Sequence, residues 1–199
     1  MAFLQGLKDC KLVRVFRLTS FLNQGCKAMI VTDASPYGIG GFYIIDGIII
    51  GYFMDSVNPD DLTRLGVVDA EKGQQCWEAL SILVALRIWH QLWAEGRLTL
   101  AVKSDNMTAL TLVNTLKAKG GGLRIIACEM ALTMSRASFE PDLTIHTPGV
   151  CNDVADTLSR RFDPARSDRW QLPRALEHAQ ACTPPVRDDG WWEYLQWQL

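Results

Sequence analysis

Four acidic side chains and one histidine stand where their chemistry is hardest to ignore. Asp33 follows the apolar run 29–31, Glu78 lies inside the long apolar stretch 70–95, Asp105 ends the alternating run 98–104, and Asp156 lies in 151–160. A carboxylate on a core-facing position costs several kcal/mol unless it is paired or binds a metal. Several carboxylates packed together are tolerable only if cations neutralise them or some stay protonated. Oxygen ligands alone suit a hard ion such as Mg²⁺. Two such ions about 4 Å apart activate a water and stabilise the leaving oxygen of a phosphodiester. The same residues have plainer readings, as a turn aspartate for Asp33, an exposed helix strip for Glu78, and a strand-end position for His146. Asp153 lies one helical turn before Asp156, and spacing alone leaves the fourth acid open between the two.

The elements that must position these groups follow from periodicity and punctuation. Residues 28–33 read as a strand on which Met29, Val31 and Asp33 share one face. The Gly38-Ile39-Gly40-Gly41 stretch beyond it lets backbone approach closely. Two further strands, 42–45 and 48–52, meet across Asp46-Gly47, a dipeptide suited to a type I′ hairpin. The polar, Pro59-containing stretch 55–66 reads as loop. A helix is expected over 70–95, apolar nearly all round and ended by Gly96, so buried on most sides. A strand over 98–104, a helix over 106–116, a break at Gly120-Gly121-Gly122, a helix over 123–136, a short strand 143–146 and a helix over 151–160 with Asn152 as N-cap complete the pattern.

The order is three antiparallel strands followed by strands that arrive by helical crossover and lie parallel to the first. The expected fold is α/β with a mixed five-stranded sheet flanked by helices. If the fourth strand lies beside the first, Asp33 and Asp105 become neighbours at a switch point, where open α/β sheets hold their sites. The chain divides into a lead-in (1–27), one α/β domain (28–161) and a tail (162–199) carrying four prolines and the Trp191-Trp192 pair; docking of these tryptophans on their own domain is expected over a base-stacking platform.

Composition narrows the classes. The 199 residues carry a formal net charge of −2 and are 48% hydrophobic and 21% charged, as in a globular domain that buries a core. A protein that grips nucleic acid strongly by itself is usually basic, so stand-alone high-affinity binding is not expected; Lys117, Lys119 and Arg124 read as a solvated surface. The six cysteines show no paired spacing and read as buried free thiols. No signal peptide and no run long enough to span a bilayer is seen, which implies an intracellular protein, in a cytoplasmic particle or the nucleus.

The segments Val31-Thr32-Asp33-Ala34-Ser35, Glu78-Ala79-Leu80, Ser104-Asp105-Asn106 and His146-Thr147-Pro148-Gly149-Val150-Cys151-Asn152-Asp153-Val154-Ala155-Asp156-Thr157-Leu158-Ser159-Arg160 resemble the RNase H domain of retroelement reverse transcriptases, most of all gypsy-like and tyrosine-recombinase-type elements. The resemblance covers about residues 28–161. It implies an RNase H-like fold and hydrolysis of the RNA strand of RNA–DNA hybrids. It also implies two Mg²⁺ ions, with Mn²⁺ as a substitute, and a polymerase domain in cis or in trans. Asp33, Glu78, Asp105 and Asp156 match the metal-binding acids, and the family's register selects Asp156 over Asp153. His146 matches the histidine that assists product release or proton transfer. The extra helix and basic handle of cellular RNases H are missing from 107–142, and no Tyr-x-Asp-Asp polymerase signature occurs. A catalytically silent domain of this fold, or an integrase or junction resolvase, are the alternatives; integrases place their glutamate after both aspartates.

Overall fold

The computed structural model describes residues 26–94, 98–136 and 143–196. Residues 1–25 of the lead-in expected over 1–27, the stop at Gly96 and Trp197 lie outside the described residues, and Cys26 and Lys27 belong to the first strand. Alternation builds the sheet. In β1 (Cys26–Ala34), Ile30 packs into one core while Val31 packs into a second on the opposite face. β2 (Gly38–Ile45) and β3 (Ile48–Ser56) continue the antiparallel meander. Asp46 (φ 48°) and Gly47 (φ 85°) both take the left-handed conformation, as the type I′ hairpin demands.

The stretch expected as loop contains a helix, α1 (Pro59–Leu65). Asn58 and Asp61 form a reciprocal capping box, Pro59 opens the first turn, and Gly66 closes the helix at φ 64°. These start and stop signals outweigh the polar composition that suggested loop. The expected 70–95 helix is three pieces. Ala70–Gly73 is a 3₁₀ turn, α2 runs Gln74–Ile88, and α3 runs His90–Ala94. The break falls at Trp89, whose ring stacks on Tyr43 at 5.3 Å, and the Trp93 indole takes up the Leu86 carbonyl at 2.8 Å. The Trp93 indole thus satisfies a carbonyl left open at the end of α2, while the Trp89 amide keeps its bond to the Ala85 carbonyl.

β4 (Leu98–Ser104) pairs parallel with β1, followed by α4 (Met107–Thr115), α5 (Gly121–Ser135) and β5 (Leu143–His146), parallel to β4. A 3₁₀ turn at Gly149–Cys151 leads into α6 (Asp153–Ser159). The tail adds β6 (Gln180–Ala181) and α7 (Glu193–Gln196).

The sheet is mixed and six-stranded, in the order β5-β4-β1-β2-β3-β6. The sixth strand corrects the expectation of five. It is two residues long in a proline-rich tail, and only its pairing with β3 makes it a strand. α2, buried nearly all round, lies between one face of β1–β2 and helices α4 and α5; α6 covers the other face. The tail packs into this body, with Trp191 and Trp192 inside the main core. Among the described residues no helix is long and apolar enough to cross a membrane. Cys76, Cys128, Cys151 and Cys182 are free thiols, but Cys151 is exposed and the other three half-buried.

Candidate metal centre

Three elements deliver one carboxylate each. Asp33 comes from the end of β1, Glu78 from the second turn of α2, and Asp105 from the residue after β4. Parallel pairing of β1 with β4 brings the two strand ends together, as the switch-point argument required. One oxygen from each of the three acids lies within 4.8 Å of the other two. Asp33 and Glu78 are buried, and Asp105 is half-buried at the mouth.

Close approach of backbone seats the surroundings. A Cβ on Gly40 would stand 2.5 Å from Leu158 Cβ and 2.7 Å from Ser159 N, so only glycine lets α6 settle on β2 here. That seating carries Ser159 to Asp33, where its hydroxyl donates to Oδ2 at 2.8 Å. The Asn152 side-chain amide donates to Asp33 Oδ1 and to the Thr32 carbonyl, both at 3.3 Å. Asn152 stands at the N-cap of α6, as expected, and its backbone carbonyl accepts from the Asp156 amide at 3.0 Å, but its side chain makes no cap bond and turns its amide to the buried Asp33 carboxylate instead. On the α2 side, Gln74 Nε2 bridges the Ala34 carbonyl (2.7 Å) and Glu78 Oε1 (2.8 Å). Ser81 donates to the Asp33 and Gly40 carbonyls at 3.1 Å. None of these supporting residues was singled out for this role from the sequence. The signals present were helical spacing for Gln74 and Ser81, four before and three after Glu78, and membership of the 146–160 motif segment for Asn152 and Ser159.

The electrostatics are those of a site short of positive charge. Burial raises the Asp33 carboxyl to about 7; the Ser159 hydrogen bond opposes this, while Asp105 and Asp156 push further up and Arg160 pulls down. Burial likewise raises Glu78 to about 9, with Asp33 and Asp105 adding to it and bonds from Gln74 and Ala34 opposing it. Glu78 Oε2 is buried with no hydrogen-bond partner. An unpartnered carboxylate oxygen of this kind, facing two further carboxylates, fits a hard divalent cation with oxygen ligands.

The other two predicted site residues stand differently. Asp156 lies outside the three-acid group, and its Oδ1 accepts from Arg160 Nε at 2.6 Å, one turn along α6. Asp153 is exposed in the first turn of the same helix. His146 ends β5, exposed, with Nε2 donating to the Asp105 carbonyl oxygen at 3.0 Å, which places it at the rim rather than among the carboxylates. Lys117, Lys119 and Arg124 are exposed. In comparison with known proteins, the chain matches no family model and no curated protein.

Proposed function

We propose that this chain is a ribonuclease of the RNase H type, hydrolysing the RNA strand of RNA–DNA hybrids. The convergence of Asp33, Glu78 and Asp105 on one point, with Glu78 Oε2 left unbonded, carries the reading. The motif resemblance over 28–161 supports it. So does a sheet in which the first strand of an antiparallel meander pairs on its other edge with a parallel strand. Asp33, Glu78 and Asp105 would hold Mg²⁺, or Mn²⁺ in its place. When bound, such ions supply an activated water and stabilise the leaving oxygen, leaving 3′-hydroxyl and 5′-phosphate ends.

The chain's own residues divide the remaining work. Ser159 and Asn152 fix the Asp33 carboxylate from one side of the sheet, and Gln74 orients Glu78 from the other. Their rotamers are set by buried bonds, so ligand positions are prepared before substrate arrives. His146, exposed at the rim and bonded to the Asp105 carbonyl, is placed to hold or pass on a proton near Asp105. Selectivity for hybrid would rest on 2′-hydroxyl contacts across the minor groove. With a net charge of −2, capture of hybrid by the isolated chain is weak and a polymerase domain in cis or in trans would supply the grip.

The test is cleavage of end-labelled RNA–DNA hybrid, duplex RNA and duplex DNA in Mg²⁺. Wild type cuts the RNA of the hybrid alone, and Asp33→Asn loses about a thousandfold or more of that rate, equivalent to several kcal/mol of barrier. Equal products from the two proteins would overturn the assignment, and preference for duplex DNA would turn it toward an integrase or resolvase.

A further inference from the structure

Of the four acids, only Asp156 is given a cation of its own, and that cation has donors to spare. Arg160 uses Nε on Asp156, while its two terminal nitrogens have no hydrogen-bond partner among the described residues. Both side chains are about a third exposed, at 34% and 38%. Beyond Arg160 the chain turns through Asp163 and runs back along α6, forming a cleft of about 300 Å³. Its lining includes Thr157, Arg160, Arg166, Arg169 and Trp170. The Trp170 indole donates to the Thr157 carbonyl at 2.7 Å and carries the Arg161 guanidinium over its ring at 5.0 Å, which fixes this wall to the helix. Arg166 has only a 3.7 Å contact with Asp163, and Arg169 makes no ion pair among the described residues. Three guanidinium groups thus line one cleft on a chain whose net charge is negative.

We infer that this arginine-lined cleft between α6 and the tail binds a phosphate of a nucleic-acid backbone, and that its arrival draws Arg160 off Asp156. The inference rests on the ribonuclease reading for the identity of the ligand. Guanidinium groups bind phosphate through paired, charge-assisted hydrogen bonds. The pair to be given up is weak, since a partly exposed i,i+4 acid–base pair is screened by solvent and contributes little. In the free protein Arg160 neutralises Asp156, and the other three acids form the site. With a phosphate in the cleft, Asp156 is released to join them. Arg160 is in this sense a positioning residue that acts through Asp156.

Two measurements on the full chain test it. Calorimetric titration with Mn²⁺, without nucleic acid, reads the counter-cation role. Arg160→Gln should bind Mn²⁺ about tenfold more tightly than wild type, the effect of removing one nearby positive charge. Asp156→Asn in that background should cancel the gain, and Arg160→Lys should stay near wild type. Hybrid binding in Ca²⁺ across a salt series reads the cleft. Arg166→Gln/Arg169→Gln should weaken binding about tenfold and flatten the plot of log affinity against log salt by about 2. An unchanged Mn²⁺ isotherm for Arg160→Gln, or wild-type affinity and salt slope for the double variant, overturns the inference. So does wild-type chain that binds no hybrid. Arginine-dependent hybrid binding without cleavage would instead sink the ribonuclease reading and leave the cleft standing.

Discussion

Two regions of this molecule bury carboxylates, and they treat them in opposite ways. Under the tail, Asp61 is fully enclosed, and Arg187 meets it fork to fork, Nε to Oδ1 at 2.9 Å and Nη2 to Oδ2 at 2.7 Å. The same guanidinium reaches Asp55 and the Ser56 carbonyl, so every edge of it is used. Glu129 in α5 is likewise enclosed, with Arg87 at 2.6 Å and the Tyr194 amide at 2.7 Å. Arg87 also bonds the Trp191 carbonyl at 2.6 Å and stacks 4.3 Å from that ring, so the pair clasps the tail as well. At the candidate centre, Asp33 and Glu78 are also buried and receive only neutral donors, and Asp105 adds a third carboxyl group. A chain able to supply arginines to Asp61 and Glu129 supplies none to Glu78. The contrast teaches that burial alone does not decide whether a carboxylate receives a cation from the chain, and the proposed metal site is the reading that this difference supports.

Breaking the tail's pairing should have the largest effect on stability. Arg187→Ala leaves Asp61 buried and unpaired, and unfolding stability should fall by about 3–5 kcal/mol, read from the denaturant midpoint. Replacing both partners, as Arg187→Met with Asp61→Leu, should recover most of that loss if the pair serves only its own neutralisation. Removing charge at the centre should act the other way. Glu78→Gln keeps the acceptor for Gln74 and removes a carboxyl that at pH 8 ionises readily in the unfolded chain but, held up to about 9, not in the folded one, so the metal-free protein should gain about 1–3 kcal/mol. A loss there of the size expected at Arg187 would erase the distinction between the two regions.

Divalent ions sharpen the comparison further. Mg²⁺ at 100 times its dissociation constant should add about 2.7 kcal/mol to wild type, and close to nothing to Asp33→Asn at the same concentration. The pH dependence has a definite sign. Asp33 and Glu78 titrate higher in the folded chain, at about 7 and about 9, than their ordinary values near 4. Their protonated forms therefore favour folding at low pH, and that contribution is lost as pH rises through 7 and then 9. Stability of the metal-free protein should accordingly decline from about pH 5 to pH 9 by up to about 1.4 kcal/mol per pH unit for each group titrating, and Mg²⁺ should flatten the decline. Thermal melts over that range, with Mg²⁺ or with chelator, check both statements. The smallest effect should come from Arg160→Gln, whose exposed pair with Asp156 changes stability by about 0.5 kcal/mol or less. A larger loss would place that pair with Arg187–Asp61 as a structural one.

Much of the scaffold was legible because local rules and tertiary packing agreed. The Asp46-Gly47 hairpin, the strand 98–104 and the short strand 143–146 stand where their patterns place them. Where the expectations failed, a competing signal or a distant partner decided. α1 was hidden by polar composition although Asn58, Pro59 and Gly66 mark both of its ends. The break at Trp89 could not be read from an unbroken apolar run, because ring contacts with Tyr43 and Phe53 hold it. At the site, Asp33, Glu78 and Asp105 were legible as acids in apolar surroundings. Ser159 and Asn152 were not, since nothing about a serine or an asparagine reveals an aspartate more than a hundred positions away.

The order of residues alone determined which acids stand on apolar elements, where the meander turns, and that later strands must run parallel to the first. These follow from side-chain period and backbone stereochemistry, which act over a few residues. Only the folded arrangement decided which acids meet and which are claimed by a neighbour: Asp105 reaches Asp33 and Glu78, while Asp156 is held by Arg160. It also decided that the tail belongs to the body, through a sixth strand, the buried Arg187 and the half-buried Arg87. The physical reason is that charge and hydrogen bonding are settled by distances of a few ångströms in space, whatever the separation along the chain.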